Sequence, residues 1–213
     1  MARIGFIGCH EISWHCLKKI CALSQKYGDQ LAVVFNLDEK EAIKHSASFK
    51  FDTLQHEYLF PLYYVSDVSD SNSIKLLKQS NLDILFIIGW HKIVPQVVLD
   101  TATLRLGIHS SLLPKDRGSS PINWQIIRGE TAGGVTLFHL TTDVDAGDIV
   151  DSEAYEIDEN DTVADVYNRA TISSLSLLDK NWESIHNMKI NAIHQNEEDM
   201  TLNSRRKIGR AHV

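Results

Sequence analysis

The run Asp83-Ile84-Leu85-Phe86-Ile87-Ile88-Gly89 restricts the fold more than any other segment of the chain. It has no polar face, so it reads as a strand covered on both sides. Strands of that kind belong to parallel sheets with helices packed on each face. Two other runs share its form: Arg3-Ile4-Gly5-Phe6-Ile7-Gly8, which also ends on a glycine, and Leu31-Ala32-Val33-Val34-Phe35. Between them the apolar spacing becomes helical, with Ile12, Cys16, Leu17, Ile20 and Leu23 marking a helix over 11–24. Residues 62–65 and 106–109 are further candidate strands, 134–140 is rich in β-formers, and 143–150 is a polar loop feeding another strand. Helices are expected over 73–79, 96–100, 122–128 (opened by Pro121) and 163–185 (opened by Asp161-Thr162). This alternation predicts an α/β, Rossmann-like, doubly wound and mostly parallel sheet in a single domain.

A chain of 213 residues can bury such a core without disulfides or metal. Its four prolines and eleven glycines leave little material for a long linker. Cys9, Cys16 and Cys21 are odd in number and lack a Cys-x-x-Cys spacing, so they read as packing residues in a reducing compartment. The formal net charge of −7 argues against a nucleic-acid partner, yet leaves room for a small phosphorylated ligand. No stretch reaches the ~18 apolar residues of a membrane span, and the cytoplasm is the expected location. Gly5 and Gly8 do not make a Gly-x-Gly-x-x-Gly fingerprint, and the phosphate-binding loop of nucleoside triphosphatases is missing. The ten histidines suggest no metal site, for want of ligand spacing with acids on one helix face.

Open sheets of this class bind ligands at the carboxyl ends of their strands, which directs attention to the loops after Gly8, Gly89 and His109. His109 and Asp145 each stand beside a loop of small residues and could form a base oriented by a carboxylate. Spacing alone leaves the plainer readings open: a strand-end histidine, and a turn-forming aspartate before Gly147.

Two long blocks narrow the choice. Gly107-Ile108-His109-Ser110-Ser111-Leu112-Leu113-Pro114-Lys115-Asp116-Arg117-Gly118-Ser119-Ser120-Pro121-Ile122-Asn123-Trp124 resembles one signature of the formyltransferase family. Gly134-Val135-Thr136-Leu137-Phe138-His139-Leu140-Thr141-Thr142-Asp143-Val144-Asp145-Ala146-Gly147-Asp148-Ile149-Val150 resembles the other. The resemblance is clear from about 83 to 185. It implies a catalytic domain over 1–205, with the basic stretch 206–213 a tail left by truncation or cloning. It implies an N-formyltransferase that takes the formyl group from 10-formyltetrahydrofolate, with His109 and Asp145 as the catalytic pair. The turn Ile88-Gly89-Trp90-His91-Lys92-Ile93 would line one wall of the folate pocket, and Phe138, His139, Leu140 and Thr141 the other. In such proteins the pterin is held largely by backbone groups.

One position departs from the family pattern. Where Asn-x-His is usual, this chain has Gly107, which cannot polarise the formyl oxygen. Loss of one such donor costs on the order of a hundred- to a thousandfold in rate. Either a backbone amide or water replaces it, or the substrate supplies it, or the protein binds folate with little turnover. Asn123, on the following helix, is not expected to substitute. Lys115 and Arg117 are candidate anion-binding residues ahead of a helix start, and His10 and Ser110 candidate neighbours of the acceptor. Trp14, Trp124 and Trp182 read as packing residues. The Pro114-Lys115-Asp116-Arg117-Gly118-x-x-Pro121-Ile122-Asn123-Trp124 stretch resembles the amino-sugar and tRNA branches more than the glycinamide ribonucleotide one, and the acidic charge disfavours tRNA. The expected acceptor is therefore a small amine, an amino sugar carried on a nucleotide, with glycinamide ribonucleotide and methionyl-tRNA as alternatives; a homodimer is compatible with this reading.

Overall fold

The apolar 83–89 run forms the middle strand of a seven-stranded sheet in the computed structural model, which describes residues 1–45 and 48–204. In chain order the elements are β1 (Arg3–Ile7), α1 (Glu11–Tyr27), β2 (Gln30–Leu37), α2 (Glu39–Ala42), α3 (Asp52–Tyr58), β3 (Leu62–Val65), α4 (Ser71–Gln79), β4 (Leu82–Ile88), α5 (Gln96–Leu99) and β5 (Ala102–His109). There follow β6 (Arg117–Gly118), α6 (Pro121–Arg128), β7 (Ala132–His139), β8 (Ile149–Glu156), α7 (Val163–His186), a 3₁₀ turn (Glu197–Asp199) and β9 (Leu202–Asn203). The strand order is β3-β2-β1-β4-β5-β7-β8, while β6 and β9 pair separately.

Strands β1 to β5 run parallel, and the apolar runs show why. Successive residues point to opposite faces, and here both faces are dry. Ile84, Phe86 and Ile88 join the cluster that contains Cys16, Leu17 and Ile20 of α1 and Leu177, Leu178 and Trp182 of α7. Leu85 and Ile87 join the opposite cluster with Leu77 of α4 and Val98 and Leu99 of α5. Trp182 lies almost fully buried and stacks on Phe86 with ring centroids 6.0 Å apart, a packing residue as expected. All three cysteines are buried thiols.

The helix ends carry their sequence signals. Thr162 and Asp165 form a reciprocal capping box on α7, and Asp70 accepts from Asn72 N and Ser73 N at the start of α4. The expectation of a mostly parallel sheet meets its exception at β7, which runs antiparallel to β5 and to β8. The short helices α2 and α3 carry too few residues for a visible period and were not expected. No helix among the described residues is long and apolar enough to cross a membrane. The basic stretch 206–213 lies outside the described residues.

From β1 the chain builds outward to β2 and β3, then returns to place β4 on the other side of β1. The direction of winding therefore reverses between β1 and β4, and the crevice at their carboxyl ends is where such sheets take ligands.

Candidate functional site

His109 is the last residue of β5. Its Nε2 lies 2.8 Å from the carbonyl oxygen of Asp116. A carbonyl only accepts, so Nε2 carries the hydrogen and Nδ1 is the nitrogen left to take a proton. Nδ1 faces Asp145 Oδ2 at 3.5 Å, with the two side chains only 11% and 22% exposed. The structure thus brings the two candidate residues together across 36 positions of sequence, at the longer separation usual for a catalytic pair without substrate.

Asp145 is held at both its side chain and its backbone. Its Oδ2 accepts from Gly118 N at 2.8 Å, and its backbone oxygen accepts from Gln195 Nε2 at 2.8 Å. Its own φ is +49°, in the left-handed region that aspartate tolerates. The same Gln195 amide donates to Gly147 O at 2.6 Å. At Gly147 a Cβ would lie 1.7 Å from the carbonyl oxygen of His139, so only glycine lets the loop pass this close to β7.

Gln195 also accounts for Arg117. Its Oε1 accepts from Arg117 Nε at 2.9 Å and Nη2 at 2.7 Å, and Glu197 takes Nη1 and Nη2 at 3.1 and 2.7 Å. The expectation of an anion-binding Arg117 is corrected by this geometry: the guanidinium is 5% exposed and its donors are committed to the segment that follows α7. Lys115 is exposed and lines a cleft of about 670 Å³ with Asp116, Gln125 and Arg128. That cleft shares no lining residue with the His109–Asp145 pair. The Ser110 carbonyl receives Gln125 Nε2 at 3.5 Å. His10 stands at the far strand end, after β1, where it caps α1 and its backbone N donates to Ser13 Oγ at 3.1 Å. Burial, and then His45, hold the His10 imidazole below its ordinary value.

The two expected pocket walls meet around β5. Trp90 and Val94 from the turn after β4 and Leu140 from the end of β7 pack on the cluster that contains Ile87. The backbone N–H of His91 is directed at the Cys9 thiol, those of Trp90, Lys92, Ile93 and Val94 donate to no group among the described residues, and Trp90 Nε1 is buried without a partner among them. Ile93 is 73% exposed. Lys92 is turned back onto Ser66 O (2.9 Å) and Asp67 (3.1 Å), and Thr141 Oγ1 donates to Asp143 O at 3.2 Å. Burial lowers His139, and it lowers His91 to about 4 with help from His45, Lys92 and His10. Both imidazoles are therefore neutral at pH 7, and the walls are apolar rings and unpaired amides rather than cations.

Gly107 sits between Ile87 of β4 and Phe138 of β7. A Cβ there would meet Leu140 Cδ2 at 2.8 Å, Phe138 Cε1 at 3.1 Å and Ile87 O at 3.3 Å. Apolar side chains thus occupy the space into which a donor side chain would project. Sequence reasoning missed Gln195, Glu197 and the Asp116 carbonyl; nothing local marks them, since Gln195 reaches Asp145 from 50 residues away. It also missed a cluster: Glu41, His45 and His91 have ligand atoms that all lie within 4.8 Å of one another. His45 follows α2 rather than lying in it, so the three residues do not share one helix face, and only the fold brings them together.

Known proteins resemble this chain in sequence and in fold. A family model described as formyl transferase matches residues 6–178. The bifunctional polymyxin resistance protein ArnA of Wigglesworthia glossinidia brevipalpis is 33% identical over 186 residues, covering 86% of this chain and 28% of that protein. Methionyl-tRNA formyltransferase of Streptococcus agalactiae (serotype III, strain NEM316) is 30% identical over 205 residues, covering 95% of this chain and 65% of the relative. The chain therefore spans less than two thirds of either. An N-formyltransferase from Helicobacter canadensis, solved with folinic acid and dTDP-3-aminofucose, superposes with a TM-score of 0.71 at 19% identity, covering 96% of this chain and 71% of that one. With a family match across most of its length, the chain belongs to the formyl transferase family.

Proposed function

We propose that the protein transfers a formyl group from 10-formyltetrahydrofolate to a primary amine, and that the amine is a sugar amine carried on a nucleotide. The observation that carries the reaction is the His109–Asp145 pair, with Nδ1 of the imidazole free to accept a proton beside a carboxylate. As the new C–N bond forms, His109 Nδ1 takes the proton shed by the amine, and Asp145 offsets the charge that the ring acquires. When the bond between the formyl carbon and the folate nitrogen breaks, His109 returns that proton to the departing nitrogen. The residues around the turn fit the donor: Trp90, Val94 and Leu140 offer apolar surface for a flat ring, and the amides of Trp90 and of 92–94 offer hydrogen bonds at its edge. The acceptor class rests on the Pro114–Trp124 stretch, which resembles the amino-sugar and tRNA branches, and on the acidic charge, which disfavours tRNA. Arg117 would serve it through loop geometry, its own charge being spent on Glu197.

The test is a mass-spectrometric assay with 10-formyltetrahydrofolate and a panel of nucleotide-linked amino sugars, glycinamide ribonucleotide and methionyl-tRNA. One added formyl group on an amino sugar supports the proposal, and product on another acceptor replaces the acceptor class. Folate binding with no product anywhere supports a second reading, a formyl-folate binder, which the filled space at Gly107 favours. That reading has its own discriminating result. Gly107→Asn alone is expected to change the rate little, since Leu140 Cδ2 stands where the new Cβ must go. Gly107→Asn with Leu140→Ala makes room and is expected to raise the rate by roughly a hundred- to a thousandfold where a missing donor limits it. An unchanged rate in the double variant would show that the site already supplies one.

A further inference from the structure

We propose that Glu41, His45 and His91 form a binding site for a divalent transition-metal cation of the zinc class, at the crevice between the ends of β1 and β4. Three observations converge. The ligand atoms of the three side chains lie within 4.8 Å of one another, so small side-chain rotations would bring all three to the ~2.0–2.2 Å bonds of one ion. The His45 and His91 rings approach to 4.3 Å between centroids, so two imidazoles from separate segments already face one small volume. Nε2 of His91 is buried without a hydrogen-bond partner among the described residues. A buried nitrogen in that state costs free energy until something satisfies it.

The local architecture explains the convergence. Glu41 lies in α2, and His45 lies just past the end of that helix, where the turn closed by His45 N on Ala42 O (3.0 Å) brings the chain back toward Glu41. His91 comes from the turn after β4, the neighbour of β1 at the point where the sheet's winding reverses. The neighbouring cations and the nearby thiol already have partners. Lys44 pairs with one Glu41 oxygen at 2.6 Å, and a carboxylate has a second oxygen to offer. Lys92 is bound to Ser66 O and Asp67. Cys9 Sγ is 3.8 Å from His91 Nδ1 but donates to the Gly89 carbonyl at 3.1 Å, so it stays outside the set. Two imidazoles and one carboxylate suit zinc, nickel or copper better than magnesium or calcium, which prefer all-oxygen shells. Three protein donors also leave coordination positions open to an outside ligand.

The experiment titrates the purified full chain, stripped with a chelator, with zinc sulfate by calorimetry and with cobalt(II) by absorption spectroscopy. One equivalent of zinc is expected to bind, and cobalt to give the d–d bands of a nitrogen- and oxygen-ligated ion without a thiolate charge-transfer band. His45→Ala and His91→Ala are each expected to weaken zinc by at least about a hundredfold, the upper end of what even an outer-shell loss costs. Glu41→Gln should weaken it in the same direction, and His56→Ala, exposed on α3, should leave it unchanged. No saturable binding, binding unaltered in the His45→Ala/His91→Ala double variant, or a thiolate band in the wild-type cobalt spectrum would each overturn the site. The wild-type spectrum decides the matter even where a variant folds poorly.

Discussion

Replacing His109 by alanine is expected to lower formyl transfer by about 10²–10⁴-fold while leaving formyl-folate affinity nearly unchanged. The reason is positional. Nδ1 is the one ring nitrogen not spent on the Asp116 carbonyl, and it faces the Asp145 carboxylate at 3.5 Å. Deleting the ring removes the proton acceptor but none of the apolar wall formed by Trp90, Val94 and Leu140. Single-turnover rates against an active acceptor, with folate affinity measured by fluorescence, separate the two effects. Asp145→Asn should also slow the reaction, because an amide keeps the contact with Gly118 N but carries no charge to offset the imidazolium. A His109→Ala rate within about threefold of wild type would remove His109 from the mechanism, since general-base loss costs far more.

Gly147→Ala is expected to be the most damaging single methyl in the chain. The added Cβ would fall 1.7 Å from the His139 carbonyl, a backbone atom that cannot swing aside as a side chain can. Relief requires the 140–148 loop to lift off β7, which breaks the bond from His139 N to Asp148 O (2.9 Å) and those from Gln195 to Asp145 O and Gly147 O. Overpacking against backbone places the cost at about 3 kcal/mol or more, or about 6–12 °C in Tm for a domain of this size. Activity should fall further than stability, because the displaced loop carries Asp145 away from His109. Thermal unfolding together with the formylation assay checks both parts. A variant with wild-type Tm and wild-type rate would show that the loop has a second seating.

The apolar runs of β1, β2 and β4 were legible because a strand buried on both faces leaves no polar alternation to confuse with a surface strand. The long helix α7 was legible through its Thr162 cap and its apolar period. His109 and Asp145 were legible as candidates because they lie within recognisable blocks beside loops of small residues, and the resemblance of those blocks carried the family. The antiparallel β7 was not legible: a period of two is the same for either strand direction, and direction follows from how α6 returns the chain to the sheet.

The finer parts of the site belong to long-range packing. Arg117 read as a free cation beside a helix start, but whether a guanidinium meets solvent or a carboxylate depends on what folds over it. Here the segment after α7 returns with Gln195 and Glu197. Gly107 read as a missing donor, and only the fold shows that Phe138 and Leu140 occupy the vacated space. His91 read as a folate-wall residue, and only the winding of β4 beside β1 sets it against Glu41 and His45. By itself the sequence determined the layers of the fold and the residues able to move a proton, because periodicity and side-chain chemistry are local properties. The tertiary structure alone decided which charges are spent, which atoms of His109 and Asp145 face one another, and which ligands converge, because these follow from contacts between segments that are distant along the chain.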